Sequence, residues 1–240
     1  MINPKMNLPT TLRSGYLLAH GLRPLFQNPR RYCRGFLAIK LLVKTIILAS
    51  LLFVLIAPLI LLNQGLAFKK TSDLLFFLHR GLGIYAFSLI FLALLMGSTI
   101  SLLDRFFTPG KAFVTHRIIA IVAFVLSLLH PLFLFSTYLS EGNLSYIIPF
   151  QTGTNLFYFF LGIFALMLLI LTVTSALLRF RLGPKWLFIH RFNYLIFWLI
   201  FFHGLNLGVD TKTSFAGFLY LTYGAIVGIV TIRRLLIYRI

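Results

Sequence analysis

The chain alternates between long apolar runs and short breaks that are basic or carry glycine and proline. Six runs stand out, over Thr45–Leu62, Leu74–Leu103, Ala112–Tyr138, Asn155–Leu178, Trp186–Gly208 and Ser214–Ile232. Each reaches or approaches the ~20 residues that a helix needs to cross a hydrocarbon core of about 30 Å. Helices are expected because lipid leaves open backbone N–H and C=O groups without partners. The alternation of apolar and polar positions that marks a transmembrane barrel is absent. The pattern predicts an all-α integral membrane protein. Six spans form one bundle over residues 45–240, behind an N-terminal arm over residues 1–44.

Composition agrees with the pattern. Of 240 residues, 60% are hydrophobic and 11% charged, with a mean hydropathy of +0.96, which excludes a soluble globular domain. The net charge of +18 would suit a nucleic-acid partner, but its placement argues otherwise. With the N-terminus inside, 18 of the 22 Lys and Arg fall on the cytoplasmic side, and only Lys69, Lys70, Arg80 and Lys212 lie outside. That asymmetry predicts a plasma (inner) membrane protein with both termini cytoplasmic. The charge therefore speaks of topology and anionic lipid headgroups, and no nucleic acid is expected.

Residues 1–35 are basic and broken by Pro9, Pro24 and Pro29, with no early apolar core. They predict a cytoplasmic, interfacial arm without a cleavable signal peptide, the first span serving as insertion signal. Cys33 is the single cysteine and falls on the reducing side, so no disulfide, iron–sulfur cluster or cysteine zinc site is expected within the chain. The loops are short except for the outer stretch from Tyr138 to Asn155, which reads equally as a cover over the bundle or as a plain connector.

Histidines carry the candidate chemistry. His116 and His130 are 14 residues apart in the third run, and His190 and His203 are 13 apart in the fifth. At about 1.5 Å of rise per residue, each pair spans roughly 20 Å along its helix. The third and fifth spans run the same way, so His116 and His190 share one depth near the inner side. His130 and His203 share another near the outer side. Four imidazoles at two matched depths suit two stacked b-type haems. Two trans imidazoles leave four equatorial positions for a porphyrin, whereas zinc would want two further protein ligands at each level. The four acids, Asp73, Asp104, Glu141 and Asp210, all lie in or beside loops and supply none. Two axial histidines also saturate the iron, which leaves electron transfer at the haem edge. No Cys-x-x-Cys-His is present, so the haems would be non-covalent.

The spacing carries one strain. A step of 14 returns to within about 40° on an ideal helix, while 13 misses by about 140°. The fifth span is therefore expected to be distorted, or its haems to be attached at offset angles, and Pro131 to disturb the third locally. Arg117, Arg191 and Lys185 adjoin the inner histidines as haem propionates would demand, although inside-positive flanking explains them equally. Arg80, which follows His79 on the outer side, is the fourth such candidate for a haem propionate, and there that rule does not account for it. His79 is a further candidate at the outer level: a support for the outer haem, part of an electron exit with Arg80, or an interfacial residue. His20, in the arm, is expected to be unrelated. Phe124 and Phe197 fall between the two levels, but among 27 Phe they receive no relay role.

These stretches resemble the ferric reductase-like transmembrane domain, which is found in NADPH oxidases, ferric reductases and the haem-binding membrane subunit of the bacterial methionine sulfoxide reductase system. The matching segments are Thr-His-Arg at 115–117 through Leu-His-Pro at 129–131, and Leu-Gly-Pro-Lys-Trp at 182–186 through Ile-His-Arg at 189–191 to Phe-His-Gly at 202–204. The resemblance covers roughly residues 45–235. It implies six helices with two haems between the third and fifth. The oxidases continue into a flavin and nicotinamide domain. This sequence stops at Ile240, and its one Gly-x-Gly, at 81 and 83, lies inside an apolar run and so does not read as a dinucleotide-binding motif; its layout is closer to the stand-alone subunit, which also has a histidine early in its second span. FAD or FMN and NAD(P)H would then act only through a partner.

The expected function is a di-haem membrane cytochrome. It would carry electrons from a cytoplasmic flavoprotein reductase or quinol to an outer acceptor: ferric iron, oxygen or a periplasmic reductase. A quinol-oxidising cytochrome b subunit and a non-haem transporter with a histidine proton relay are the alternatives.

Overall fold

The computed structural model describes residues 69–106, 110–142, 154–212 and 214–237, together with Thr45, residues 52–54 and Ile56. The arm with His20 and Cys33, most of the first apolar run and residues 143–153 of the outer stretch lie outside the described residues. All the helices below belong to the unit formed by residues 48–240.

Helix α1 covers Thr71–Phe106, α2 Lys111–Ser140 and α3 Thr154–Leu177. A short α4, Arg179–Leu182, leads through Gly183 and Pro184 into α5, Lys185–His190. Helix α6 covers Asn193–Leu207, and a 3₁₀ turn at Asp210–Lys212 precedes α7, Ser214–Ile237. Among the described residues there is no strand, and five segments are long and apolar enough to cross a membrane: Thr71–Ile100, Lys111–Ser140, Asn155–Leu177, Lys185–Leu207 and Phe215–Arg234. They correspond to the second through sixth predicted runs.

Local chemistry explains the boundaries. Asp73 accepts from the backbone N–H groups of Lys69 and Lys70, both at 2.9 Å, and so closes the open start of α1. Gly110 and Gly183 turn the chain before α2 and α5 at φ of 81° and 55°, a left-handed region that glycine enters freely. Pro184 then suits the first turn of α5, where no N–H is needed. Thr211 Oγ1 donates to Gly208 O at 2.7 Å and lies 3.2 Å from Gly204 O and Leu205 O, which holds the following turn against the end of α6.

Pairs of contacting residues give the helix directions. His79 meets His130 and Ala93 meets His116, so α1 and α2 are antiparallel. Phe87 stacks on Tyr220 and Phe91 on Tyr223, so α1 and α7 are parallel. Gly204 lies against Tyr220 and Gly224 against Phe201, so α6 runs opposite to α7. Helices α2 and α6 therefore run the same way. The core between α1, α6 and α7 is aromatic. Ring centroids are 4.3 Å apart for Phe87–Tyr220 and 4.0 Å for Phe91–Tyr223, and Phe197 is fully buried beside both phenylalanines. The opposite faces are apolar and exposed: Met167, Phe218 and Ile229 are each more than 60% accessible. In water such a surface would drive association, whereas in a bilayer it faces lipid.

Candidate functional site

The fifth span is not one regular helix. It breaks at residues 191–192, directly after His190, and resumes as α6. Arg191 and Phe192 keep right-handed helical angles, φ −65° and −61°, so the break is a tightened turn rather than a kink. Asn193 Nδ2 donates to His190 O at 2.7 Å across the break. Helix α2, by contrast, continues through Pro131.

His116 on α2 and His190 at the end of α5 lie close together. Their ring centroids lie 6.4 Å apart with planes at 79°. An imidazole–metal bond is about 2 Å, and the ring centre lies about 1 Å behind the bonding nitrogen, so two rings in trans on one metal have centres about 6 Å apart. The observed separation therefore fits the axial pair of a haem. It is also an ordinary separation for an edge-to-face ring pair.

At the other level two histidines are in contact and a third lies nearby. His79 and His130 stack at 4.0 Å with planes 17° apart. Each also donates its Nδ1–H to the other's backbone carbonyl at 2.9 Å. His203 lies within electrostatic range of both. The expected partners His130 and His203 thus share a neighbourhood, with His79 packed against His130 as a third member.

Hydrogen bonding sets the tautomers. His116 Nδ1 donates to Ala93 O and His203 Nδ1 donates to Tyr158 O, both at 2.9 Å. A carbonyl can only accept, so these rings and that of His130 carry their proton on Nδ1 and keep the Nε2 lone pair available. That is the donor set an axial metal ligand requires. His190 differs: its Nδ1 is buried beside the Thr172 backbone but does not reach hydrogen-bond geometry.

The flanking cations are placed unequally. Arg80 forms a bidentate ion pair with Asp210, its Nε 3.0 Å from Oδ2 and its Nη2 on Oδ1. Its fork is held by the turn after α6. Lys185 and Arg191 flank α5, and Arg117 follows His116 on α2. Sequence reasoning missed the Arg80–Asp210 pair and the carbonyls that receive the histidines. It also missed Gly83, Gly97 and Gly162, which lie against His130, His116 and His203. Gly83 and Gly97 are 14 residues apart, like the histidines they face, and that spacing was the available signal.

Apolar helices with inward histidines at two levels define a multi-pass, all-helical membrane protein. Residues 82–201 match the family described as ferric reductase like transmembrane component. The match covers half of the chain, and the chain belongs to that family, whose class of function is membrane electron transfer. No curated protein and no solved structure matches the chain.

Proposed function

We propose that the chain is a di-haem b cytochrome with six spans and both termini in the cytoplasm, passing electrons from a cytoplasmic flavoprotein or a membrane quinol to an acceptor on the outer side. The observation that carries this reading is the 6.4 Å separation of the His116 and His190 rings. His116 and His190 hold the inner haem, and His130 and His203 the outer one. The haems would supply one-electron chemistry at their edges. The protein's own part is geometric and electrostatic. Backbone carbonyls hold three rings in the Nδ1–H tautomer, and His79 supports His130 by stacking and by a reciprocal hydrogen bond. Arg117, Lys185 and Arg191 flank the inner histidines in the chain and are the cations that would meet anionic propionates. Arg80, fixed by Asp210, sets the charge beside His79. A proton relay is disfavoured because the bonded Nδ1–H groups end on backbone carbonyls rather than on neighbouring titratable groups.

The test is a pyridine haemochrome assay on purified protein, with oxidised and dithionite-reduced spectra. Two haems per chain are expected; a colourless preparation after haem supplementation sinks the proposal.

A further inference from the structure

Three of the four paired histidines occupy the same kind of seat. In each, the ring donates Nδ1–H to a carbonyl on a neighbouring helix and lies over the glycine four residues further along that helix. His116 uses Ala93 O and Gly97, His130 uses His79 O and Gly83, and His203 uses Tyr158 O and Gly162. Each bond is 2.9 Å long. A methyl added at Gly97 would come within 3.1 Å of the His116 ring, at Gly83 within 2.7 Å of His130, and at Gly162 within 2.5 Å of His203.

The four-residue offset has a physical cause. A helical carbonyl is already bonded to the N–H four residues on, and its second lone pair stays free. Helical side chains lean towards the N-terminus, so the residue at that fourth position overhangs the carbonyl. Glycine removes the overhang and lets the ring lie over the turn beside that lone pair; the bond alone does not need it, since His79 reaches His130 O at 2.9 Å with Leu134 four residues on. Helix interiors disfavour glycine, so its recurrence at all three seats calls for a packing reason. The fourth histidine fits the rule by exception. His190 lies beside the Thr172 backbone, the residue four further on is Ala176, and no bond of normal geometry forms.

We propose that Gly83, Gly97 and Gly162 are positioning residues. Each makes room for one ring beside its carbonyl acceptor and thereby fixes the tautomer and ring plane of one histidine, leaving its Nε2 available in the space between helices. The proposal rests on the di-haem reading for its purpose but not for its geometry.

The test is the series G97A, G83A and G162A in the full chain, with G228A as control, since a methyl at Gly228 meets only Trp198 at 3.8 Å. Protein labelled with ¹⁵N-histidine is first read in micelles without haem, because imidazole nitrogen shifts separate the two neutral tautomers. Hemin is then titrated in and the midpoint potentials recorded. We expect Nδ1–H signatures for His116, His130 and His203 in the parent protein. Each seat variant should disturb its own histidine and weaken hemin binding at that level about 10- to 100-fold. The order should be G162A, then G83A, then G97A, with the affected potential moving upwards as the imidazole loses basicity. G228A should be silent. The reverse variant A176G should create a bond for His190 and move the inner potential downwards, a gain that a folding defect cannot imitate. Unchanged tautomers and potentials in a parent protein that binds two haems would overturn the seats and leave the function standing. Tautomer shifts in a parent protein that takes up no hemin would uphold the seats and overturn the function. Equal losses in all variants, G228A included, would also overturn the seats.

Discussion

His116 and His190 belong to separate spans, yet their rings lie at the separation of a trans-axial pair. Replacing either by alanine should therefore remove the same spectral component, while His130→Ala and His203→Ala should remove the other. Low-temperature difference spectra check this, and loss of one common component in the His116 and His130 variants would refute the pairing. These four residues were legible because imidazoles are rare in apolar runs and their spacing is a simple count. Their tautomers were not, since a backbone acceptor has no signature in side-chain identity. The role of His79 was only half visible. Its depth follows from sequence, but its stacking on His130 depends on the register of α1 against α2, which no local pattern specifies. Arg80 looked available for an anionic ligand, and its pairing with Asp210 joins positions 130 residues apart.

Five of the six apolar runs reappear as helices among the described residues, since lipid permits little else for such sequences. The 13-residue step pointed to a distortion of the fifth span or to offset haems, but the location of the break, a tightened turn, was not legible. It falls after His190, where Asn193 bridges to the His190 carbonyl and its Oδ1 lies 3.4 Å from Thr172 Oγ1 on α3. Asn193→Leu should free that carbonyl and cost about 1–2 kcal/mol of stability. It should also perturb the inner spectral component more than the outer, because His190 adjoins the break. Thermal denaturation in micelles with parallel spectra checks both, and a stable variant with an altered outer component alone would contradict the assignment. The Arg80–Asp210 pair ties α1 to the turn before α7. Its side chains are 22% and 11% accessible, so the cost of Asp210→Ala should fall between the surface and buried limits, at about 1–3 kcal/mol. A midpoint shift of less than a degree would show that the pair contributes nothing.

Across the whole molecule, charge and chemistry are polarised in opposite senses. The inner-side assignment of Lys111, Arg117, Arg179, Arg181, Lys185 and Arg191 places a basic surface next to the His116–His190 level. The Arg80–Asp210 pair is locally neutral beside His79, His130 and His203. A basic face raises the encounter rate with an acidic flavoprotein, an effect that salt weakens within a Debye length of about 8 Å at physiological ionic strength. Electrons should then enter by way of His116 and His190 and leave by way of His130 and His203. The one Gly-x-Gly of the 240 residues, at 81 and 83, lies inside membrane-spanning α1 rather than between a strand and a helix, so the chain should not oxidise NADPH by itself. Vesicles with the chain in known orientation, a soluble flavin reductase on the basic side and a membrane-impermeant ferric chelate on the other side test both points. Reduction of the chelate should require the reductase, slow as salt rises and fail when the reductase is placed on the opposite face. Chelate reduction with NADPH and the chain alone would reveal a nucleotide site within these 240 residues and overturn the dependence on a partner. Equal rates with the reductase on either face would overturn the direction while leaving the paired histidines as the conducting path.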